Sequence, residues 1–148
     1  MKIVMVCTGN TCRSPMAEGL MRRALSARGI DGVEVLSAGT FTRSDYPASH
    51  ESVDEMRARG IDIRDHRSTR LTDLNLGDAL VLCMASGHLR EVKRSAPSVN
   101  AHTLRDYAGL MGDIRDPIGR GPVAYHQAAE MMNEAIEIIA NRLAKEGV

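Results

Sequence analysis

The sequence predicts a single α/β domain: a four-stranded parallel sheet with helices on both faces and a tight polar loop between the first strand and the first helix. Three observations lead there. Short apolar or β-branched runs alternate with helix-length stretches in the order βαβαβαβα, the order that crossover connections between parallel strands produce. One run, "DALVLCM" (78–84), is nearly continuously apolar, as a strand buried on both faces must be. A turn of small polar residues, "CTGNTCRSP" (7–15), falls where the first run ends and the first helix begins.

The elements follow in order. "KIVMV" (2–6) is a short buried strand. The next helix is expected with Ser14 as N-cap and Pro15 in the first helical position. It carries Met16, Leu20, Met21, Ala24 and Leu25 on one stripe and ends at Gly29. "VEVLSAG" (33–39) is the second strand and "PASHESVDEMRARG" (47–60) the second helix. After the third strand (78–84) comes a short helix, "SGHLREVKRSA", then a fourth strand, "NAHTL" (100–104). A loop with Gly and Pro spans about 106–122. The last helix, 123–145, is expected to turn Ala128, Met131, Met132, Ala135, Ile138, Ile139 and Leu143 to the core.

The 148 residues suffice for one domain with a real core, and no repeat or linker divides residues 1–148. Only 3% are aromatic, so that core must be aliphatic and methionine-rich. A formal net charge of zero lacks the basic surplus that general nucleic-acid or anionic-membrane binding needs. No apolar run reaches transmembrane length, and "MKIVMVC" is too short for a secretory signal. The expectation is a cytoplasmic, monomeric protein with reduced thiols at Cys7, Cys12 and Cys83. No Cys/His spacing matches a zinc site, so no metal is expected.

Ligands of such sheets bind beyond the carboxyl ends of the strands, where the 7–15 turn lies. Gly9 can take positive φ without a Cβ penalty, and Asn10 tolerates the left-handed region. Those conformations turn successive N–H groups inward into an anion nest, with the helix start facing the same point. Thr8, Gly9, Asn10, Thr11, Cys12, Arg13 and Ser14 are therefore the candidate phosphate binders. Arg13 adds a planar fork for two oxygens. The same field favours the ionised thiol of Cys7, and Ser14 is placed to donate to that sulfur. A thiolate under a bound phosphoryl group is set for in-line attack, giving a cysteinyl phosphate. A carboxyl group must then protonate the leaving group and later activate water. Asp116 in "RDPIGRG" (115–121) is the leading candidate, with Asp113 its nearest rival.

"CTGNTCRSP" with "DPIG" resembles the low-molecular-weight protein tyrosine phosphatase family. "SAG" (37–39), "GIDIRDHRS" (60–68) and "DALVLCM" come in that family's order, so the resemblance spans the chain. It implies Cys7 as nucleophile, Arg13 as the loop arginine, Asp116 as general acid, and no cofactor or metal. Asn10, Ser14, Ser37 and His66 match positions that brace the loop. Three positions depart from the tyrosine-specific pattern: Thr11 stands where an aliphatic residue is usual, Ile118 and Gly119 where aromatics follow the Asp-Pro pair, and Ala85 where Asp is frequent. Thr11 and the Asp-Pro-Ile-Gly segment instead resemble the bacterial protein-arginine phosphatase branch. That implies Thr11, Asp116 and Ile118 as specificity residues and phosphorylated proteins as substrates. The rivals are a tyrosine phosphatase, a thiol-dependent arsenate reductase using Cys83 as a relay, and a non-catalytic phosphate-binding module. Cys12, in the same bend as Cys7, is a candidate partner for a reversible disulfide. "RDHRSTR" (64–70) is either a guide for acidic substrates or a solvated face.

Overall fold

β1 (Lys2–Cys7) forms the interior of the sheet, and the chain then divides around it. In the computed structural model, which describes residues 1–148, α1 (Arg13–Ser26) leads to β2 (Glu34–Gly39) on one side of β1. After α2 (His50–Ala58) and a 3₁₀ turn (Leu71–Asp73), the chain crosses to β3 (Leu80–Cys83) on the other side. α3 (Ser86–Ser95), β4 (Asn100–Thr103), the single turn α4 (Leu104–Tyr107) and α5 (Pro122–Lys145) complete it. The strand order is β2-β1-β3-β4 and every pairing is parallel. The direction of winding thus reverses at β1, and the crevice that such a reversal opens lies at its carboxyl end.

Side-chain alternation along β1 sorts the two faces. Ile3 and Met5 point into the larger cluster with α1, α4 and α5; Val4 and Val6 point into a smaller one with Val92 of α3. Met16, Leu20 and Met21 are fully buried, each contributing about 1.5–3 kcal/mol by leaving water. They anchor α1, whose first turn carries the phosphate-binding loop.

The structure moves several expected boundaries. α1 begins at Arg13, so Ser14 is not its N-cap and Pro15 is not its first residue; Cys12 holds the cap position and makes no side-chain cap bond. The Ser14 hydroxyl is committed to Cys7 and Asn10 instead. α2 starts at His50, because Ser49 caps it by accepting from the Ser52 N–H. β3 and β4 are shorter than expected, and the turn α4 takes the expected last residue of β4 and the start of the expected 106–122 loop. On α5, Tyr125, Ala129, Ile136 and Ala140 are buried, whereas Met131 and Ile138 are only partly so. The buried stripe is broader than expected because α1, α2 and α4 all pack on this helix. No helix is long and apolar enough to cross a membrane.

Candidate active site

Residues 7–14 are built so that one side of the chain is satisfied and the other is not. The Cys7 carbonyl accepts from Thr40 N (3.0 Å), Thr8 from Phe41 N (3.1 Å) and Gly9 from Thr42 Oγ1 (2.7 Å). Asn10 O faces His66 Nε2 (2.6 Å), Thr11 O accepts from Ser49 N (2.8 Å), and Cys12 O accepts from Ser52 Oγ (3.3 Å) and Met16 N (3.4 Å). Six consecutive carbonyls are therefore held from outside by the segments after β2, before and within α2, and before the 3₁₀ turn. No peptide bond is cis. In a trans peptide the N–H opposes the C=O, so the following six N–H groups point to the opposite side. That of Asn10 donates to Cys7 Sγ at 3.3 Å. Those of Thr8, Gly9, Thr11 and Cys12 donate to no protein acceptor. The result is a cup of convergent donors at the start of a 14-residue helix.

Asn10 makes the bend. It alone in the loop has positive φ (+55°). The expectation that Gly9 would share that conformation fails: Gly9 is not left-handed, and a Cβ there would meet only Thr11 Oγ1, at 3.7 Å. The Asn10 side chain spends every polar group. Nδ2 donates to Ser14 Oγ (2.8 Å) and Ser37 Oγ (2.9 Å), and Oδ1 accepts from Thr69 N (2.8 Å). Because Ser14 Oγ accepts from Asn10, its own hydrogen is left for Cys7 Sγ, 2.8 Å away. Sulfur thus receives two donors, the Ser14 hydroxyl and the Asn10 N–H. His66 must donate through Nε2 to a carbonyl; burial, the main cause, lowers its pKa. The expected braces Asn10, Ser14, Ser37 and His66 are all brought together here.

Arg13 is nearly buried and reaches away from its own loop: Nη1 donates to Ile114 O at 2.9 Å and Nη2 lies 3.9 Å from Asp116 Oδ2. The Asp116 side chain is 53% exposed, and its Oδ1 accepts from Ile118 N at 3.1 Å. Asp113, the rival acid, is spent on α3, where both oxygens hold Ser86 through its N–H and hydroxyl at 3.1 Å. Thr11 and the exposed Ile118 stand on the loops that carry the cup and Asp116 respectively.

Two contributors were not read from the sequence. His88 of α3 accepts the Ala85 N–H on Nδ1 at 3.0 Å, so its neutral ring carries the proton on Nε2 and donates to Thr8 Oγ1 at 3.0 Å. Burial, aided by Arg13, pushes its pKa down to about 4. The only signal was a polar residue at the third position of a helix. Gly39 closes β2 against the cup: a Cβ there would lie 2.5 Å from Thr8 O and 2.8 Å from Thr42 Cγ2. "SAG" was noted, but not that its glycine permits this approach.

The remaining cysteines separate cleanly. Cys83 is fully buried among the smaller cluster, and burial raises its thiol to about 12. It has the environment of an inert core residue, unlike a relay thiol. Cys12 lies 3.4 Å from Tyr125 Oη and 3.5 Å from Ser49 Oγ. No cluster of His, Cys, Asp and Glu is arranged to hold a metal.

This geometry can bind a tetrahedral oxyanion over a sulfur nucleophile, with a carboxyl group at the rim. Known proteins of this kind are similar over nearly the whole chain. The sequence model described as "Low molecular weight phosphotyrosine protein phosphatase" matches residues 2–148. A probable low molecular weight protein-tyrosine-phosphatase of Ralstonia solanacearum is 37% identical over 143 residues, 95% of this chain and 94% of that one. A protein-arginine-phosphatase of Geobacillus stearothermophilus is 37% identical over 148 residues, 97% of this chain and 94% of that one. A solved YwlE arginine phosphatase, a Cys-to-Ser mutant with a phosphorylated active-site serine, superposes with TM-score 0.92 at 33% identity. That match covers 99% of this chain and 97% of the other.

Proposed function

The chain belongs to the low molecular weight phosphotyrosine protein phosphatase family, and from that premise we propose a cysteine-dependent phosphatase that removes phosphate from arginine in proteins. The single observation that carries the chemistry is the cup itself, six peptide groups with carbonyls tied outside and N–H groups aimed at the space above Cys7. Sulfur attacks phosphorus, the P–N bond breaks, and Asp116 gives its proton to the departing guanidine nitrogen. The cysteinyl phosphate is then attacked by water, whose proton returns to Asp116, and inorganic phosphate leaves. Arg13 and the amides of Thr8 to Ser14 hold the equatorial oxygens, where negative charge is spread in the transition state.

Three things support arginine as the leaving residue. Thr11 carries a hydroxyl in the loop where an aliphatic side chain would offer no polar group. The Asp116 carboxylate, half-exposed at the rim, can pair with a guanidinium. Ile118 offers no ring to stack on a phenyl group. The family description and the Ralstonia relative favour phosphotyrosine as a second reading, with exposed Phe41 and Tyr46 as flanking rings.

Initial rates on phosphoarginine and phosphotyrosine peptides separate the two. Phosphoarginine should be preferred, Cys7→Ser should abolish turnover of both, and Thr11→Ile should shift the ratio toward phosphotyrosine. An unchanged ratio removes the basis for arginine.

We place the enzyme in the reducing cytoplasm as a monomer. Under oxidation, Cys7 and Cys12 would lose two protons and two electrons to peroxide, giving a disulfide and two waters and sparing Cys7 from over-oxidation. Mass mapping after peroxide treatment tests this; sulfonic acid at Cys7 without a disulfide overturns it.

A further inference from the structure

Arginines are abundant here, and most are already engaged. Arg22, Arg28, Arg57, Arg59, Arg64, Arg70, Arg94 and Arg105 pair with carboxylates. Arg13, Arg23, Arg67 and Arg142 donate to backbone carbonyls. The "RDHRSTR" cluster is spent in this way: Arg64 on Asp62, Arg67 on the carbonyls of His66 and Arg64, and Arg70 on Asp73.

The guanidinium groups with no protein partner are those of Arg43, Arg90, Arg115 and Arg120. Two of them, Arg115 and Arg120, bracket Asp116 in sequence and line one cleft of about 330 Å³ with it. The cleft runs from Asp116 onto α5, where Val123, Ala128 and Met131 form an apolar wall. Asp116 forms no ion pair with either of them: its oxygens lie against Ile118 N and Arg13, and with Arg13 counted, one carboxylate leaves two guanidinium charges in net excess. A wall of aliphatic carbon with two uncommitted guanidinium groups matches a short aliphatic stem ending in a carboxylate.

We propose that this cleft is a substrate subsite for an acidic side chain, glutamate or aspartate, flanking the phosphorylated residue. The proposal rests on the phosphatase reading above, since Asp116 joins the subsite to the reacting bond. Asp116 lines the cleft and stands at the rim of the cup, so the side chain the cleft receives belongs to a near neighbour of the phosphoresidue. The enzyme then reads charge beside its target.

The test uses one peptide series carrying Glu, Ala or Lys at each position from −3 to +3. Each peptide is made once with phosphoarginine and once with phosphotyrosine. Each rate is normalised to the same protein's rate on para-nitrophenyl phosphate, which has no flanking residues. The glutamate peptide should exceed the lysine peptide about fivefold in kcat/KM at one or two positions, through KM. The advantage should shrink as salt rises from 20 to 300 mM. An R115E/R120E double variant should reverse the ranking.

Equal normalised rates for Glu, Ala and Lys, or a ranking that survives the double reversal, overturn the subsite. If only the phosphotyrosine set is turned over, the arginine assignment fails while the flank ranking is still read on that set.

Discussion

The loop that holds Cys7 and the loop that holds Asp116 meet across Arg13, yet they are made differently. From Cys7 to Cys12 each carbonyl is tied to another part of the chain, and the Asn10 side chain adds three further bonds. Around Asp116 the hold is slighter: Ile118 N on the Asp116 carboxylate, Arg120 N on Pro117 O and, two residues before the acid, Ile114 between Arg13 Nη1 and Met84 O. The cup must present fixed dipoles to charge that develops in the transition state, and fixed dipoles require no reorganisation when it does. In its proposed role as acid, Asp116 would meet leaving groups of different proteins and exchange a proton with water, so half-exposure suits it. Precision is built into one loop and access into the other.

Substitutions can break this contrast. The largest effect belongs to Asp116→Asn, which should lower kcat about 10²- to 10⁴-fold and leave thermal stability within error. A large drop in Tm would mean that the acid loop is structural after all. Asn10→Ala should do the reverse in kind. It strips the buried hub of Ser14, Ser37 and Thr69 and forces alanine into positive φ, costing about 3 kcal/mol and lowering Tm by about 6–12 °C along with activity. Retained stability would show that the outer carbonyl bonds hold the cup alone. Gly39→Ala pushes a methyl into Thr8 O and should cost about 1–3 kcal/mol. Its KM for phosphate esters should rise, because the displaced peptide is one that faces the anion.

The smallest effect is in pH dependence. His88 is held neutral, with a folded-state pKa near 4 against an ordinary 6.5, so between those values the unfolded chain binds a proton that the folded chain does not. Stability therefore falls as pH drops from 6.5 to 4, and His66 acts in the same direction. A His88→Gln variant can still donate to Thr8 but does not titrate. Its Tm should decline less steeply across that window; an equal slope would assign the acid sensitivity elsewhere.

What could be read without coordinates was whatever the chain states locally. The β1 run, the α1 stripe and the Cys7-to-Arg13 spacing are written in contiguous residues, and each appears where expected. The boundaries that moved did so because side chains found distant partners. Ser14 gave up its expected capping role when Asn10 and Cys7 claimed its hydroxyl. His88 and Gly39 act on Thr8 from 80 and 31 residues away, and neither carries a local pattern that announces it. The Asp-Pro loop put Asp116 ahead of Asp113 as the candidate acid; distant partners then set them apart, Asp113 being held on Ser86 while Asp116 lies 3.9 Å from Arg13. Cys83 and Cys7 both end apolar strands and both are buried, so only their partners separate them: Ser14 Oγ and Asn10 N reach the Cys7 sulfur, whereas Cys83 sits among apolar side chains.

A cup whose dipoles are fixed in advance cannot distinguish the anion it consumes from the one it liberates. Inorganic phosphate offers the same tetrahedron of oxygens to the same donors, so part of the affinity that lowers the barrier is met again on the way out. Rising free phosphate should therefore slow this enzyme competitively, and vanadate or tungstate should do so more strongly. The throughput of such a catalyst becomes tied to the phosphate status of its surroundings, with no second site needed to sense it.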